Sequence, residues 1–326
     1  MPLDEFAIID RFFRRASRRD DVCVGIGDDA AVLKVPPATE LVVALDTLVA
    51  GVHFPEQTDP FAIGWKTLAV NLSDLAAMGA EPAWFTLALT LPEADAAWLA
   101  EFSRGLFALA EEWNLALVGG DTTRGPLTVS IQVAGHVPPG EALLRRGARV
   151  GDALYVTGTL GDAAAALRDW QAGRAEDPAL RGRLDRPAPR LRTGMGLRRL
   201  ARCAIDISDG LLADLARLLA ESPGNGARLE REALPLSAAL RRRLAAEPAL
   251  WAGVLDGGDD YELLFCASPE REAELSALAA RTGEAITRIG TITADSGIVL
   301  EDADGRRQVV TPHGYAHFAP PQEESP

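Results

Sequence analysis

The 326-residue sequence predicts an α+β protein of two domains, and three observations predict it. The chain is longer than one hydrophobic core usually serves, so two units of about 150 residues each are expected. Short β-branched apolar runs bounded by turn residues alternate, in both halves, with longer stretches whose apolar residues recur at helical spacing. Between the halves lies "PPGEALLRRGARVGD" at 138–152, whose Gly, Pro and Arg give it the composition of a linker. The expected units are therefore 1–148 and 149–318, with the polar, Pro-containing 319–326 as a disordered tail.

In the first half, "DEFAIIDRFFRRA" spaces Phe6, Ile9 and Phe13 as one face of a helix. "DVCVGI", "AAVLKV" and "ELVVALD" read as strands. Asp59 and Pro60 open a helix whose stripe is Trp65, Leu68, Leu72, Leu75 and Ala76, and Gly79 stops it. "AWFTLALTLP" is a strand, "DAAWLAEFSRGLFALAEEWN" a helix, "LALVGGD" a strand entering a glycine turn, and "LTVSIQVAGHV" a strand. This half is a strand-rich α+β layer. In the second half, "ALYVTG" is a strand and "GDAAAALRDW" a helix, followed by a polar, Arg-rich stretch without an assigned element. "CAIDIS" is a strand, "DGLLADLARLLAES" a helix, "DYELLFCAS" a strand and 269–282 a helix. "GIVLEDADGRRQVV" forms a hairpin turning at Ala303 to Gly305.

A net charge of −14 disfavours nonspecific attraction to nucleic acid or anionic lipid, and favours metal cations as partners. Lys34 and Lys66 are the only lysines, and no Gly-x-x-x-x-Gly-Lys-Ser/Thr phosphate loop occurs. Cys23, Cys203 and Cys266 are odd in number, far apart and set in apolar runs, which predicts buried free thiols in a reducing compartment rather than a zinc site or a disulfide framework. The N-terminus is acidic and no apolar run approaches the ~20 residues of a membrane span, so a cytoplasmic protein is expected.

Aspartate recurs at element edges: Asp28 and Asp29, Asp46, Asp121, Asp206 and Asp209, Asp259 and Asp260 follow strands or sit in turns, while Asp74 lies on a helix. Each alone reads as a turn former or helix cap. Together they read as a site for cations, because carboxylates gathered in one cleft repel by roughly 4 kcal/mol per pair at about 4 Å. Oxygen ligands without Cys/His spacing point to magnesium or calcium; the EF-hand pattern is absent, and "DADG" at 302–305 is a hairpin tip. In "VGGDTTRG", Gly119 and Gly120 let backbone approach an anion, with Asp121 for a metal and Arg124 for charge balance.

The stretches "GIGDDAAVL", "DTLVAGVHF", "WKTLAVNLSDLAAMGAEPAW", "VGGDTTRGPL", "VTGTLGD", "AIDISDGLLADL", "GGDDYELLF" and "GYAHF" span residues 25–318, and together the chain resembles the thiamine-monophosphate kinases of the aminoimidazole ribonucleotide synthetase-like superfamily. The resemblance implies the two-domain fold of that superfamily, with an N-terminal sheet forming a barrel across a homodimer and a C-terminal α/β domain. It implies transfer of the γ-phosphoryl of ATP to thiamine monophosphate, assisted by several magnesium ions. Asp29, Asp46, Asp74, Asp121, Asp206 and Asp209 would be the metal ligands. Gly120, Asp121, Arg145 and Ser208 would contact ATP, and His53, Asp259 and Tyr315 would hold the thiamine phosphate. Three departures stand out: Ala44 and Leu45 where relatives often carry hydroxyl residues, Asp259 for Glu, and Tyr315 for Trp.

Since the acceptor phosphate is already ionised, direct in-line attack needs no base and no covalent residue. Other readings stand beside these roles: His53 as a packed loop residue, Arg145 as solvated, Ser208 as a helix cap, Lys66 as a salt-bridging or snorkelling side chain, and His136, His313 and His317 as structural or surface residues. In the Asp28-Asp29 pair, successive side chains face opposite ways, so one site does not use both equally; the resemblance assigns the metal to Asp29, which leaves Asp28 to brace the turn. Two other functions compete: a superfamily enzyme acting on a purine precursor or selenide, and a noncatalytic magnesium- or nucleotide-binding regulator. Cys23, flanked by apolar strand residues, lacks the mobile setting that selenide chemistry calls for.

Overall fold

In the computed structural model, which describes residues 4–315, 317 and 318, the first half runs α1 (Glu5–Ile8), β1 (Val22–Val24), β2 (Val32–Leu33), β3 (Glu40–Val49), α2 (Pro60–Ala77), β4 (Glu81–Leu91), α3 (Ala96–Glu112), β5 (Ala116–Arg124) and β6 (Thr128–Val137). No helix or strand occurs at 138–152. The second half runs β7 (Ala153–Thr157), α4 (Asp162–Gln171), α5 (Pro178–Asp185), α6 (Leu191–Leu197), β8 (Cys203–Asp206), α7 (Leu211–Ala220), β9 (Gly226–Glu230), α8 (Ala238–Ala246), α9 (Trp251–Asp256), β10 (Leu263–Ala267), α10 (Glu272–Thr282), β11 (Ile286–Thr293), β12 (Gly297–Glu301) and β13 (Arg307–Val310). The expected tail at 319–326 lies outside the described residues.

Three sheets result. β1 and β2 form a ribbon, the first half builds a four-stranded sheet ordered β3-β6-β4-β5, and the second a seven-stranded sheet ordered β13-β12-β9-β11-β7-β10-β8. β3 and β4 are both antiparallel to β6, and β4 is parallel to β5 through the α3 crossover, so the two edge strands β3 and β5 run the same way. On one face of β3, Leu41, Val43 and Leu45 remain 48%, 48% and 62% exposed.

Helix α2 positions the site. Asp59 caps it by accepting from the N–H groups of Phe61 and Ala62, Pro60 fits its first turn, and the left-handed Gly79 (φ 66°) follows its end. It is buried along most of its length, polar residues included, because it touches β3, β4 and β6 of one sheet and β8, α5 and α6 of the other half. Its contact with α3 is glycine-limited: a Cβ on Gly64 would sit 2.1 Å from the Phe102 carbonyl oxygen, and one on Gly105 1.9 Å from that of Phe61. Helix propensity alone makes Gly105→Ala stabilising by about 1 kcal/mol. Overpacking against backbone reverses the sign, and a net loss of about 2 kcal/mol is expected in urea unfolding; a gain in stability would mean the helices part freely.

The structure corrects four sequence expectations. Gly119 and Gly120 make no turn; β5 continues through them to Arg124, with its register against β4 shifting between Phe85 and Thr86. The Arg-rich stretch contains α5 and α6. "DYELLFCAS" is a strand only from Leu263, since residues 257–262 form a loop. Cys23 is exposed, because β1 pairs only with β2 and its middle residue faces outward, whereas Cys203 and Cys266 are buried free thiols. Elements without a sequence assignment are β9, α8, α9 and β11. No helix of the described residues is long and apolar enough to cross a membrane.

Candidate functional site

Between the two halves lies a cavity of about 660 Å³ that collects most of the expected site residues. Asp46 comes from β3, His53 from the loop after it, Asp74 from α2, Asp206 from the end of β8, Ser208 and Asp209 from the loop before α7, Asp259 from the loop before β10, and Tyr315 from the C-terminal segment. Ala163, Ala164 and Leu167 of α4 supply an apolar wall.

The "NLSD" turn of α2 ties three of these groups together. Asn71 accepts from the Asp46 N–H through Oδ1 (2.9 Å), while its amide donates to the Thr67 carbonyl (2.9 Å). Ser73 donates to Asp206 Oδ2 (2.8 Å), and Asp74 lines the cavity. Helical geometry puts residues 71 and 74 on one face, toward β3 and the cavity, and turns residue 73 away from them toward β8, so one turn reaches all three. The loop after β8 is clamped by Asp214, whose Oδ2 accepts from the N–H groups of Ser208 (3.0 Å), Asp209 (3.0 Å) and Gly210 (3.2 Å). Thus Ser208 caps nothing; α7 starts at Leu211 after Gly210, with no side-chain cap. Arg217 holds Asp209 at 2.6 Å.

Crowding of acids marks the cavity. Burial raises Asp74 to about 8, and the negative charges of Asp206 and Asp46 add to the effect against the Arg145 guanidinium. Burial lifts Asp206 to about 6 despite the hydrogen bond from Ser73, and burial with the Asp209 charge raises Asp46. Each shift reports a carboxylate whose negative charge is less favourable in this setting than in water. A hard divalent cation with oxygen ligands would relieve all three.

At the cavity mouth, His53 Nδ1 accepts from the Val49 N–H (3.0 Å), and its Nε2 lies 3.4 Å from Nε2 of His317. Burial first, and the neighbouring His317 second, push His53 below the ordinary histidine range. The Tyr315 hydroxyl is 3.4 Å from His317 Nδ1, so His317 lines the same cavity.

A second cavity, of about 580 Å³, holds the remaining metal candidates. Asp29, Gly120 and Asp121 line it with Asp28 and Arg14, on the β5 side of the four-stranded sheet. Asp28 braces its turn, accepting from the Asp29 N–H at 3.0 Å. Gly120 has φ 153°, and a Cβ there would stand 1.8 Å from the Leu87 carbonyl oxygen, so only glycine fits. Arg124 points elsewhere, donating to the Pro92 carbonyl at 3.3 Å. Arg145 is exposed and lines neither cavity. Among the described residues, no group of three His, Cys, Asp or Glu side chains is close enough to hold one ion. Sequence reasoning missed Asn71, Ser73, Asp214 and Tyr261; all four lie inside quoted motifs, and for the first two their polarity on a buried helix was the available signal.

This architecture is that of the AIR synthase related proteins: the family's N-terminal domain matches residues 27–137 and its C-terminal domain residues 149–303. The thiamine-monophosphate kinase of Escherichia coli K12 is 47% identical over 328 aligned positions, covering 98% of this chain and all of the relative. A crystal structure of the thiamine-monophosphate kinase from Stenotrophomonas maltophilia K279a superposes with a TM-score of 0.85 at 50% identity, covering 94% of this chain and 98% of that one. AaThiL complexed with AMPPCP and TMP gives a TM-score of 0.77 at 32% identity, covering 90% and 92%. The chain belongs to the thiamine-monophosphate kinase family, whose members are phosphotransferases.

Proposed function

We propose that this chain transfers the γ-phosphoryl group of ATP to thiamine monophosphate, giving thiamine diphosphate and ADP, the last step in making that cofactor. The observation that carries the reading is the acid-lined cavity of about 660 Å³, in a chain whose full-length relatives bear that activity's name and whose solved relative was complexed with AMPPCP and TMP. In the proposed step, a terminal phosphate oxygen of the acceptor attacks the γ-phosphorus. A new P–O bond forms as the bond to the β–γ bridging oxygen breaks, and the electron pair leaves with ADP. The acceptor oxygen is ionised at neutral pH, so neither a base nor a phosphoenzyme is required.

His53, Asp259 and Tyr315 are assigned to the thiamine phosphate, and Gly120, Asp121, Arg145 and Ser208 to ATP. Asp29, Asp46, Asp74, Asp121, Asp206 and Asp209 would hold magnesium ions, and the raised carboxylates of Asp46, Asp74 and Asp206 fit such ions. When bound, magnesium neutralises the phosphate charge and aligns donor with acceptor. The six aspartates divide, however, between opposite edges of the four-stranded sheet. Asp46 on β3 and Asp121 on β5 are three strand spacings apart, about 14 Å, too far to share an ion whose ligands sit about 2.1 Å away.

A homodimer resolves the division. Because β3 and β5 run the same way, a twofold axis along the strands brings β5 of a second copy beside β3, closing eight strands into a barrel and covering Leu41, Val43 and Leu45. Asp29 and Asp121 of one copy then meet Asp46 and Asp74 of the other. The proposed domain division is at 148/149, and a cytoplasmic location suits the free thiols of Cys203 and Cys266. A coupled assay with ATP, magnesium and thiamine monophosphate is expected to release ADP and form thiamine diphosphate in equal amounts. ATP binding without acceptor-dependent ADP release would leave the noncatalytic regulator as the better reading.

A further inference from the structure

Beneath the cavity lies a buried cation that the reading above does not use. Lys66, on α2 two turns before Asp74, is 2% exposed and sets its Nζ 3.1 Å from Asp259 Oδ2. The contact is an ion pair by distance, and that ammonium makes no hydrogen bond of good geometry among the described residues. The other oxygen of Asp259 accepts from the Tyr261 hydroxyl at 2.9 Å.

The backbone around this carboxylate is equally constrained. Asp259 and Tyr261 have φ of 68° and 50°, the left-handed region that side chains with a Cβ avoid. They are held there by N–H bonds to the carbonyls of Ser208 (2.9 Å) and Ile207 (2.8 Å). Just before them, a Cβ on Gly257 or Gly258 would stand 2.3 Å from the carbonyl oxygen of Gly253 or Ser208. A desolvated ammonium and two strained residues are costs the fold could avoid, since an apolar side chain would fill the place of Lys66 on α2. All of them converge on one carboxylate, whose side chain stays 25% exposed at the cavity.

We propose that Lys66 is a positioning residue for acceptor recognition: with Tyr261 it fixes Asp259 in one orientation, as the acceptor for an N–H donor on the organic part of the substrate, a ring amine of the aminopyrimidine class. This deepens the kinase reading and rests on it. The two oxygens of Asp259, turned toward an ammonium and a hydroxyl, present lone pairs to the cavity as hydrogen-bond acceptors. Asp259 lines the cavity as an acceptor, so the part of the occupant that meets it is cationic or carries N–H groups.

The test compares KM for thiamine monophosphate and for ATP in wild type, Lys66→Met, Tyr261→Phe, Asp259→Asn and the Lys66→Met/Asp259→Asn double variant. Lys66→Met is expected to raise KM for thiamine monophosphate at least tenfold and Tyr261→Phe about threefold, with KM for ATP moving less than twofold in both. The double variant is expected to match Asp259→Asn, since Lys66 acts through that carboxylate. Equal rises in both KM values, or losses that multiply in the double variant, overturn the inference. If Lys66→Met does not fold, Tyr261→Phe decides alone: an unchanged KM for thiamine monophosphate overturns it. A wild-type chain that does not turn over thiamine monophosphate overturns the kinase reading itself, an outcome visible before any variant is made.

Discussion

Replacing Asp74 by Asn is expected to make the metal-free protein more stable and the enzyme nearly inactive. Asp74 is pushed up to about 8, first by burial and then by the charges of Asp206 and Asp46. Its folded-state value thus lies above the unfolded one of about 3.9, so between about pH 4 and pH 8 the folded chain keeps a proton that the unfolded chain has lost. Stability falls as pH rises through that window and levels off above it. Asn has nearly the same volume and no charge, so its advantage vanishes near pH 4 and is greatest from pH 8 upward, at up to about 5 kcal/mol, read as a rise of several degrees in Tm measured with a chelator present. Turnover with ATP, magnesium and thiamine monophosphate is expected to fall about a thousandfold, equivalent to about 4 kcal/mol of transition-state stabilisation. A variant that loses stability at pH 8 under chelation would show that the acid crowding is not felt. One that keeps its turnover would remove Asp74 from the metal site.

The contrast between those two effects explains what could be read from the chain and what could not. Aspartates at strand ends and on a buried helix were visible as residues the fold did not need, and α2 with its Asp59-Pro60 start and Gly79 stop was legible from local chemistry. The distribution of the aspartates over two cavities was not legible, because it depends on the order β3-β6-β4-β5, a product of non-local pairing. Helix α5 escaped notice because only Leu180 and Leu184 of its residues are buried, too short a pattern for periodicity to register. Several of the arginines that disguised the stretch have inward tasks: Arg183 and Arg190 both reach the fully buried Glu262, at 2.6 and 2.5 Å.

Glycine misled for a related reason. A Gly-Gly pair signals a turn and a bulge equally well, and the deciding fact at Gly120 is the Leu87 carbonyl 1.8 Å from where a Cβ would be, on a strand about thirty residues away. At Cys23, an apolar run identified a strand but not how many strands would cover it; a two-stranded ribbon leaves one side open. Lys66 shows the same limit from the other side. Its sequence context allowed a salt bridge or a snorkelling side chain, and only the left-handed loop at 259–261 brings a carboxylate to it.

Mixing two inactive variants is expected to restore activity if the site is built from two copies. Asp46→Asn removes a ligand on the β3 edge and Asp121→Asn one on the β5 edge, and in the proposed barrel these edges meet only across the twofold axis. When equal amounts of the two variants exchange subunits, about half of the dimers contain one of each. In such a dimer one site carries both substitutions and the other carries neither, so about a quarter of all sites are intact and about a quarter of wild-type turnover should appear. The control is Asp46→Asn mixed with Asp74→Asn. Both residues line the same cavity of one chain, so every site in every dimer lacks one of them and no activity should return. Recovery in the first mixture alone supports a site shared between copies. Silence in both, with exchange verified by mass, would mean that Asp46 and Asp121 act within one chain, and the barrel would have to be abandoned along with the shared site. Recovery in both would mean that neither Asp46 nor Asp74 is confined to its own chain's cavity.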